Sequence, residues 1–133
     1  MTELDPYFLS VEQVIAIHEE QLAIYGGVDG IRDRGALESA VNAPQSTFGG
    51  EFLYGDLMEM AGVYAFGIAE CQAFLDGNKR TDANTALTFL EINGVLVVDP
   101  GNMVYNAMIA IGKKAMGRDG LVNVLRRLPL RTM

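Results

Sequence analysis

The run Asp76-Gly77-Asn78-Lys79-Arg80 gathers a carboxylate, a glycine, an amide and two cations within five residues. It lies between two apolar helical patterns, so it reads as a turn followed by the first turn of a new helix, with Asn78, Lys79 and Arg80 leading. A helix N-terminus carries unpaired N–H groups and a positive dipole end, where two cations are mildly unfavourable unless an anion joins them. A phosphate meets that requirement: the N–H groups point at it, Lys79 adds a point charge, and Arg80 adds a planar fork for two oxygens. Gly77 lets backbone approach closely, and Asn78 either bonds the anion or caps the helix. Asp76 beside bound phosphates suits Mg²⁺, which takes one or two carboxylates together with phosphate oxygens. Asn84, one turn beyond Arg80, is a further candidate contact. The plain alternative is a surface turn with a cap and two solvated cations.

The elements that position this run are legible as periodic patterns. Ser10-Val11-Glu12-Gln13 has capping-box spacing, and Val11, Val14, Ile15, His18 and Leu22 follow at helical intervals up to a stop at Tyr25-Gly26-Gly27. His18 falls among apolar positions, where a lone histidine is expected to be a packing residue. Residues 28–33 read as a Gly-rich loop, and Asp33 as the cap of a short helix that Pro44 follows. Gln45 to Gly55 loses helical periodicity around Gly49-Gly50 and reads as a loop or short hairpin carrying Phe48, Phe52, Leu53 and Tyr54. Leu57, Met60, Ala61, Tyr64, Ile68, Cys71 and Leu75 mark a long, central third helix. The fourth runs from Asn78 to about Asn93 and buries Ala83, Ala86, Leu87 and Leu90. Val95 to Val98 reads as a strand piece or buried connector, Val104 to Ala115 as a fifth helix, and Leu121 to Leu128 as a sixth.

The 133 residues, half of them hydrophobic, fit one domain spanning 1–133 with a sizeable core. A net charge of −7 argues against a general nucleic-acid or anionic-membrane binder, which needs a basic face. Apolar runs are too short for a membrane span, a single cysteine cannot form an internal disulfide, and the acidic lead Met1-Thr2-Glu3-Leu4-Asp5 is no export signal. These features point to the cytoplasm.

Gln72-Ala73-Phe74-Leu75-Asp76-Gly77-Asn78-Lys79-Arg80 resembles the signature of the Fic/Doc superfamily: a histidine, a phenylalanine two residues on, an acidic residue two further, then a small residue and asparagine. The ending Asn78-Lys79-Arg80 is similar to the Doc branch. Phe8-Leu9-Ser10, Ile17-His18, Tyr25-Gly26-Gly27, Gly30-Ile31-Arg32-Asp33, Leu37-Glu38-Ser39-Ala40, Pro44 and Phe89 to Val95 look like Doc-type segments in Doc-type order. The resemblance implies a compact all-α domain of about six helices, with a flap before the central helix that docks a target chain by strand pairing. It implies a toxin of a toxin–antitoxin pair that transfers a phosphoryl group from ATP, with Mg²⁺, to a hydroxyl of elongation factor Tu. By position, Asp76 would bind metal, while Gly77, Asn78, Lys79 and Arg80, with Asn84, would hold the nucleotide. Lys79 and Arg80 would also serve catalysis. A restraining antitoxin would be a separate chain, because no clean inhibitory Ser/Thr-x-x-x-Glu-Gly/Asn helix is present.

The departure from the pattern is Gln72, which stands where the family has its histidine general base. Glutamine donates and accepts hydrogen bonds but takes up no proton near neutral pH. Loss of a positioned base costs ~10²–10⁴ in rate. Cys71 is no replacement, since neighbouring helical residues face different directions. Gln72 therefore fits a disarmed enzyme, a Fic-fold pseudoenzyme that binds nucleotide or a partner protein, or a scaffold where water or another residue assists transfer. AMP transfer is a weaker alternative, because Lys79 replaces the small residue that leaves room for it.

Overall fold

The chain, described over residues 4–131 by a computed structural model, is built from six α-helices among the described residues: α1 Val11–Tyr25, α2 Arg34–Asn42, α3 Leu57–Cys71, α4 Asn78–Ile92, α5 Met103–Gly112 and α6 Arg118–Arg127. Met1, Thr2 and Glu3 of the acidic lead lie outside that range. A single 3₁₀ turn, Ala43–Gln45, and an antiparallel hairpin, β1 Thr47–Phe48 with β2 Glu51–Phe52, separate α2 from α3. This is the all-α architecture, hairpin included, that the sequence patterns imply.

Local chemistry sets the helix starts. Ser10 accepts from Gln13 N while the Gln13 side chain accepts from Ser10 N, closing the capping box of α1. Asp33 caps α2 through Ala36 N, and Asp56 caps α3 through Glu59 N. The hairpin turns at Gly49 and Gly50, whose φ values of 62° and 83° match the two left-handed positions of its tightest turn type. Its aromatics divide: Phe48 is exposed, whereas Phe52 packs edge-on against Phe8 with ring centroids 5.7 Å apart.

Helix α3 is the hub, packing against α2, α4, α5 and α6. It buries Met60, Ala61, Gly62, Val63, Tyr64, Ala65 and Ile68, so it is enclosed around most of its circumference. Tyr64 is wholly buried, and its hydroxyl accepts the Leu9 N–H at 2.9 Å; burial pushes its pKa up to about 12. The Asp56 carboxylate, besides capping α3, pairs with Arg126 at 2.9 Å and ties the end of α6 to the start of α3. After α4, Val97 bridges Leu130, which makes the 95–98 segment a connector closed by the C-terminal stretch. No helix among the described residues is long and apolar enough to cross a membrane.

The third helix is shorter than its apolar pattern suggests. It ends at Cys71, and Leu75, expected on its buried face, lies in the following loop with over half its surface exposed. The stop is conformational: Gln72 adopts a left-handed backbone (φ 43°, ψ 54°), which ends the helix and redirects the chain.

Close packing of α6 on α3 depends on Gly62, where an added Cβ would lie 2.5 Å from Val122 Cγ2. The β-branched Val122 has little freedom to turn away. Gly62→Ala is expected to cost about 1–3 kcal/mol, read as a lower urea midpoint at unchanged slope.

Candidate functional site

The loop 72–77 between α3 and α4 is held from three sides. From the first, the Gly30–Asp33 segment pairs with it: Arg32 N and Asp33 N both donate to Ala73 O, Leu75 N donates to Gly30 O, and Ile31 bridges Phe74. From the second, His18 of α1 stacks on Phe74 at 3.8 Å between ring centroids, and its Nε2 lies 2.8 Å from Asp76 O. A carbonyl only accepts, so Nε2 carries the proton in this contact. From the third, the Asn78 side chain clasps both polar groups of Phe74, accepting from its N–H at 3.1 Å and donating to its C=O at 2.9 Å.

Those contacts refine several expectations. His18 is a buried packing residue as its pattern suggests, and it also fixes the carbonyl of the candidate metal ligand. Asn78 neither caps α4 nor reaches into the cavity with a free amide; its side chain is spent on the loop, leaving its backbone N–H at the helix start. The Asn84 amide donates to Arg80 O at 2.9 Å, and the residue lines neither of the two cavities at the start of α4. An interior helix position turned back onto its own carbonyl ladder leaves that amide engaged locally.

Helix α4 starts at Gly77 (φ 76°) with no side-chain cap, so its first-turn donors have no side-chain partner. They face a cavity of about 470 Å³ lined by Gln21, Tyr25, Gly26, Gly27 and Tyr105 together with Leu75 to Arg80. Asp76, Gly77, Lys79 and Arg80, singled out by residue type, thus converge on one space. Gly26 and Gly27, expected only as turns, also line it, and a Cβ on Gly27 would sit 2.8 Å from Asp76 Oδ2. Asp76 Oδ1 accepts Gly77 N at 2.8 Å and Oδ2 accepts Val28 N at 3.3 Å, which orients an exposed carboxylate at the cavity edge.

Arg80 is immobilised by two rings that sequence reasoning passed over. Its guanidinium carbon lies 3.7 Å from the centroid of Tyr25 and 4.4 Å from that of Tyr105. The ring contacts hold the guanidinium by cation–π attraction, and its N–H groups make no hydrogen bond to a side chain or carbonyl among the described residues. Tyr25 had a signal as the residue before the Gly26-Gly27 stop; Tyr105, on α5, had none.

A second cavity of about 200 Å³ lies across the same helix start, sharing Asn78 and Lys79 with the first. It is lined by Gln72 and Glu70 from the end of α3, Asp82 of α4, and Met108, Ile111, Gly112 and Lys114 from α5 and its exit. Gln72 is held by Arg32, whose Nη2 donates to its backbone carbonyl at 2.7 Å and approaches its side-chain Oε1 at 3.4 Å. Asp82 is 1% exposed, and its Oδ1 is buried with no hydrogen-bond partner among the described residues. Burial raises its pKa well above the usual carboxylate range, against the pull of the Lys79 charge. The signal for Asp82 was its place one turn before Ala86 and two before Leu90, on the stripe that faces inward. Burial likewise pushes the neighbouring Cys71 thiol up, with the Asp82 charge adding to the rise.

A profile of the Fic/DOC family matches residues 8–90, which contain the whole loop and the first turns of α4. Protein kinase doc of Escherichia phage P1 is 32% identical over 120 residues, covering 90% of this chain and 94% of the relative. Toxin Doc of Mycolicibacterium smegmatis is 44% identical over 71 residues, 53% of this chain and 55% of that protein.

Two outcomes follow from the geometry. His18→Phe keeps an aromatic ring on Phe74 but removes the bond to Asp76 O; it is expected to cost about 1 kcal/mol and to speed hydrogen exchange at Phe74 and Leu75. Asp82 has a raised folded pKa, so its contribution to stability is fullest below the unfolded value of ~3.9 and declines as pH rises from there through the folded value. Asp82→Asn removes that decline, so its urea midpoint should gain on the parent chain as pH is raised from acidic to neutral.

Proposed function

The chain belongs to the Fic/DOC family, and from that premise we propose that it is a Doc-like toxin whose activity is transfer of the γ-phosphoryl group of ATP to a protein hydroxyl. The observation that carries this reading is the uncapped start of α4 facing a 470 Å³ cavity with Lys79 and a ring-clamped Arg80 at its rim. Phosphoryl transfer is mostly positioning and charge stabilisation. Main-chain N–H groups, a point charge and a planar fork on one rigid helix start supply both.

In this reading Gly77, Asn78, Lys79 and Arg80 hold the phosphates, Asn78 through its backbone. Asp76 is the protein ligand for Mg²⁺. The fit is tested by the carboxylate itself: it borders the phosphate cavity, is exposed, and retains acceptor capacity beyond its two backbone bonds. The ion would neutralise phosphate charge. Phe48 on the exposed hairpin offers an apolar tip and short strand edges to a target chain, as docking by strand addition requires. By resemblance the target is elongation factor Tu, and the restraining partner is a separate antitoxin in the cytoplasm.

Gln72 sets the rate in this reading. Its oxygen is turned toward Arg32 and it takes up no proton, so the chain as written is a weak enzyme, and a nucleotide-binding pseudoenzyme is the alternative that this residue favours. AMP transfer is disfavoured by Lys79, which fills space at the helix start. The test is transfer from γ-labelled ATP with Mg²⁺ to purified elongation factor Tu, comparing this chain with Gln72→His. The histidine form should label the factor ~10²–10⁴-fold faster. Label carried from the α-phosphate instead would make the protein an AMP transferase, and nucleotide binding without label from either position would make it a pseudoenzyme.

A further inference from the structure

We infer that the second cavity seats the acceptor hydroxyl and that Asp82 is the group that takes its proton in this chain. The inference rests on the phosphoryl-transfer reading above and deepens it. Three observations lead to it. The two cavities share Asn78 and Lys79 in their linings, so a phosphoryl group held at the start of α4 lies against residues of both. The second cavity, at about 200 Å³, is the smaller and accommodates a short side chain rather than a nucleotide. Its wall holds a carboxyl group, 1% exposed, whose Oδ1 has no hydrogen-bond partner among the described residues.

A buried polar atom left unpaired costs about 1–3 kcal/mol; Oδ1 itself is shielded, and a ligand in the cavity meets the carboxyl group where Asp82 lines the wall. In its ionised form the carboxylate only accepts, so the partner that suits that form brings a hydrogen-bond donor. A hydroxyl is such a donor, and Gln72, the position that meets the acceptor in related enzymes, lines the same cavity. With its Oε1 turned toward Arg32, Gln72 presents its amide N–H groups and orients the acceptor oxygen without deprotonating it. Asp82 then supplies what Gln72 lacks.

The acceptor O–H bond breaks and its proton goes to the Asp82 carboxylate. The acceptor oxygen forms a bond to the γ-phosphorus, while the bond from that phosphorus to the β,γ-bridging oxygen breaks and ADP leaves with the electron pair. Asp82 returns its proton to solvent. The charged and titratable groups around Asp82 are Glu70 and Cys71 from the end of α3, Lys79 on α4 and Lys114 beyond α5. Lys79 favours the ionised form, and burial opposes it, so the carboxyl is a stronger base that ionises at higher pH than usual. Transfer should therefore climb as pH rises through that ionisation, about tenfold per pH unit below it.

The experiment measures γ-label transfer from MgATP to purified elongation factor Tu across pH 6 to 9. It compares the parent chain, Asp82→Asn, Asp82→Ala, Gln72→His and the Gln72→His/Asp82→Asn pair, with MgATP affinity of each by calorimetric titration. The parent should show slow transfer that rises with pH, and both Asp82 variants should lose ~10²-fold or more while binding MgATP within about twofold of the parent. In the Gln72→His background, Asp82→Asn should cost less than about threefold, because histidine then takes the proton. Transfer by Asp82→Asn at the parental rate and pH profile overturns the assignment. So does a loss of MgATP affinity matching the loss of transfer, which is the mark of a purely structural role. If Gln72→His transfers and the parent does not, the Asp82 assignment fails while the kinase reading stands. If no form transfers label or binds MgATP, both fail together.

Discussion

The contact between His18 and the loop 73–77 is the constraint on which the site depends. A six-residue link between two buried helices has many conformations, and ordering its backbone costs roughly 1–2 kcal/mol per residue. The ring of His18 offsets that twice, by stacking on Phe74 at 3.8 Å and by bonding Asp76 O at 2.8 Å. Asn78 and the Gly30–Asp33 segment add their bonds to the same few peptide groups. The outcome is a helix start whose donors are fixed in direction before any anion arrives. Such preorganisation is what electrostatic stabilisation of a charged reacting group requires.

Around that fixed start the chain places strain and polarity where an ordinary core would have neither. Gln72 takes a left-handed backbone, which costs a non-glycine residue roughly 1–2 kcal/mol, and Arg32 secures it by gripping its carbonyl. Arg80 packs against two tyrosine rings, and Lys79 leans along Gly112, where an added Cβ would come 3.4 Å from its Cε. Asp82 is buried with an unpaired oxygen. Departures from good local stability that cluster at one helix start mark a functional site more readily than a structural one.

Much of this was readable from residue order. Capping residues Ser10 and Asp33 set helix starts, and the 3.6-residue periodicity of α3 and α4 marked the hub and its partner. The convergence of Asp76, Gly77, Lys79 and Arg80 followed from their adjacency at a helix start. What was not readable came from two sources. Contacts between distant segments have no local pattern: Arg32 on Gln72 spans 40 residues, His18 on Asp76 spans 58, and the Tyr105 clamp comes from another helix. Side chains that turn back on their own backbone were also invisible: the Asn78 side chain bonds Phe74, and the Asn84 amide bonds Arg80 O. The end of α3 was misplaced because the apolar spacing continues to Leu75 while the backbone turns at Gln72.

The central claim is that the start of α4 binds the phosphates of a nucleotide, and backbone amide chemical shifts during titration with MgATP test it most directly. The account predicts saturable shifts that are largest at Gly26, Gly27 and Gly77 through Arg80, with smaller changes at Tyr105. Saturable binding that leaves those amides unmoved and perturbs another region, such as the Leu87–Val97 surface, would contradict it.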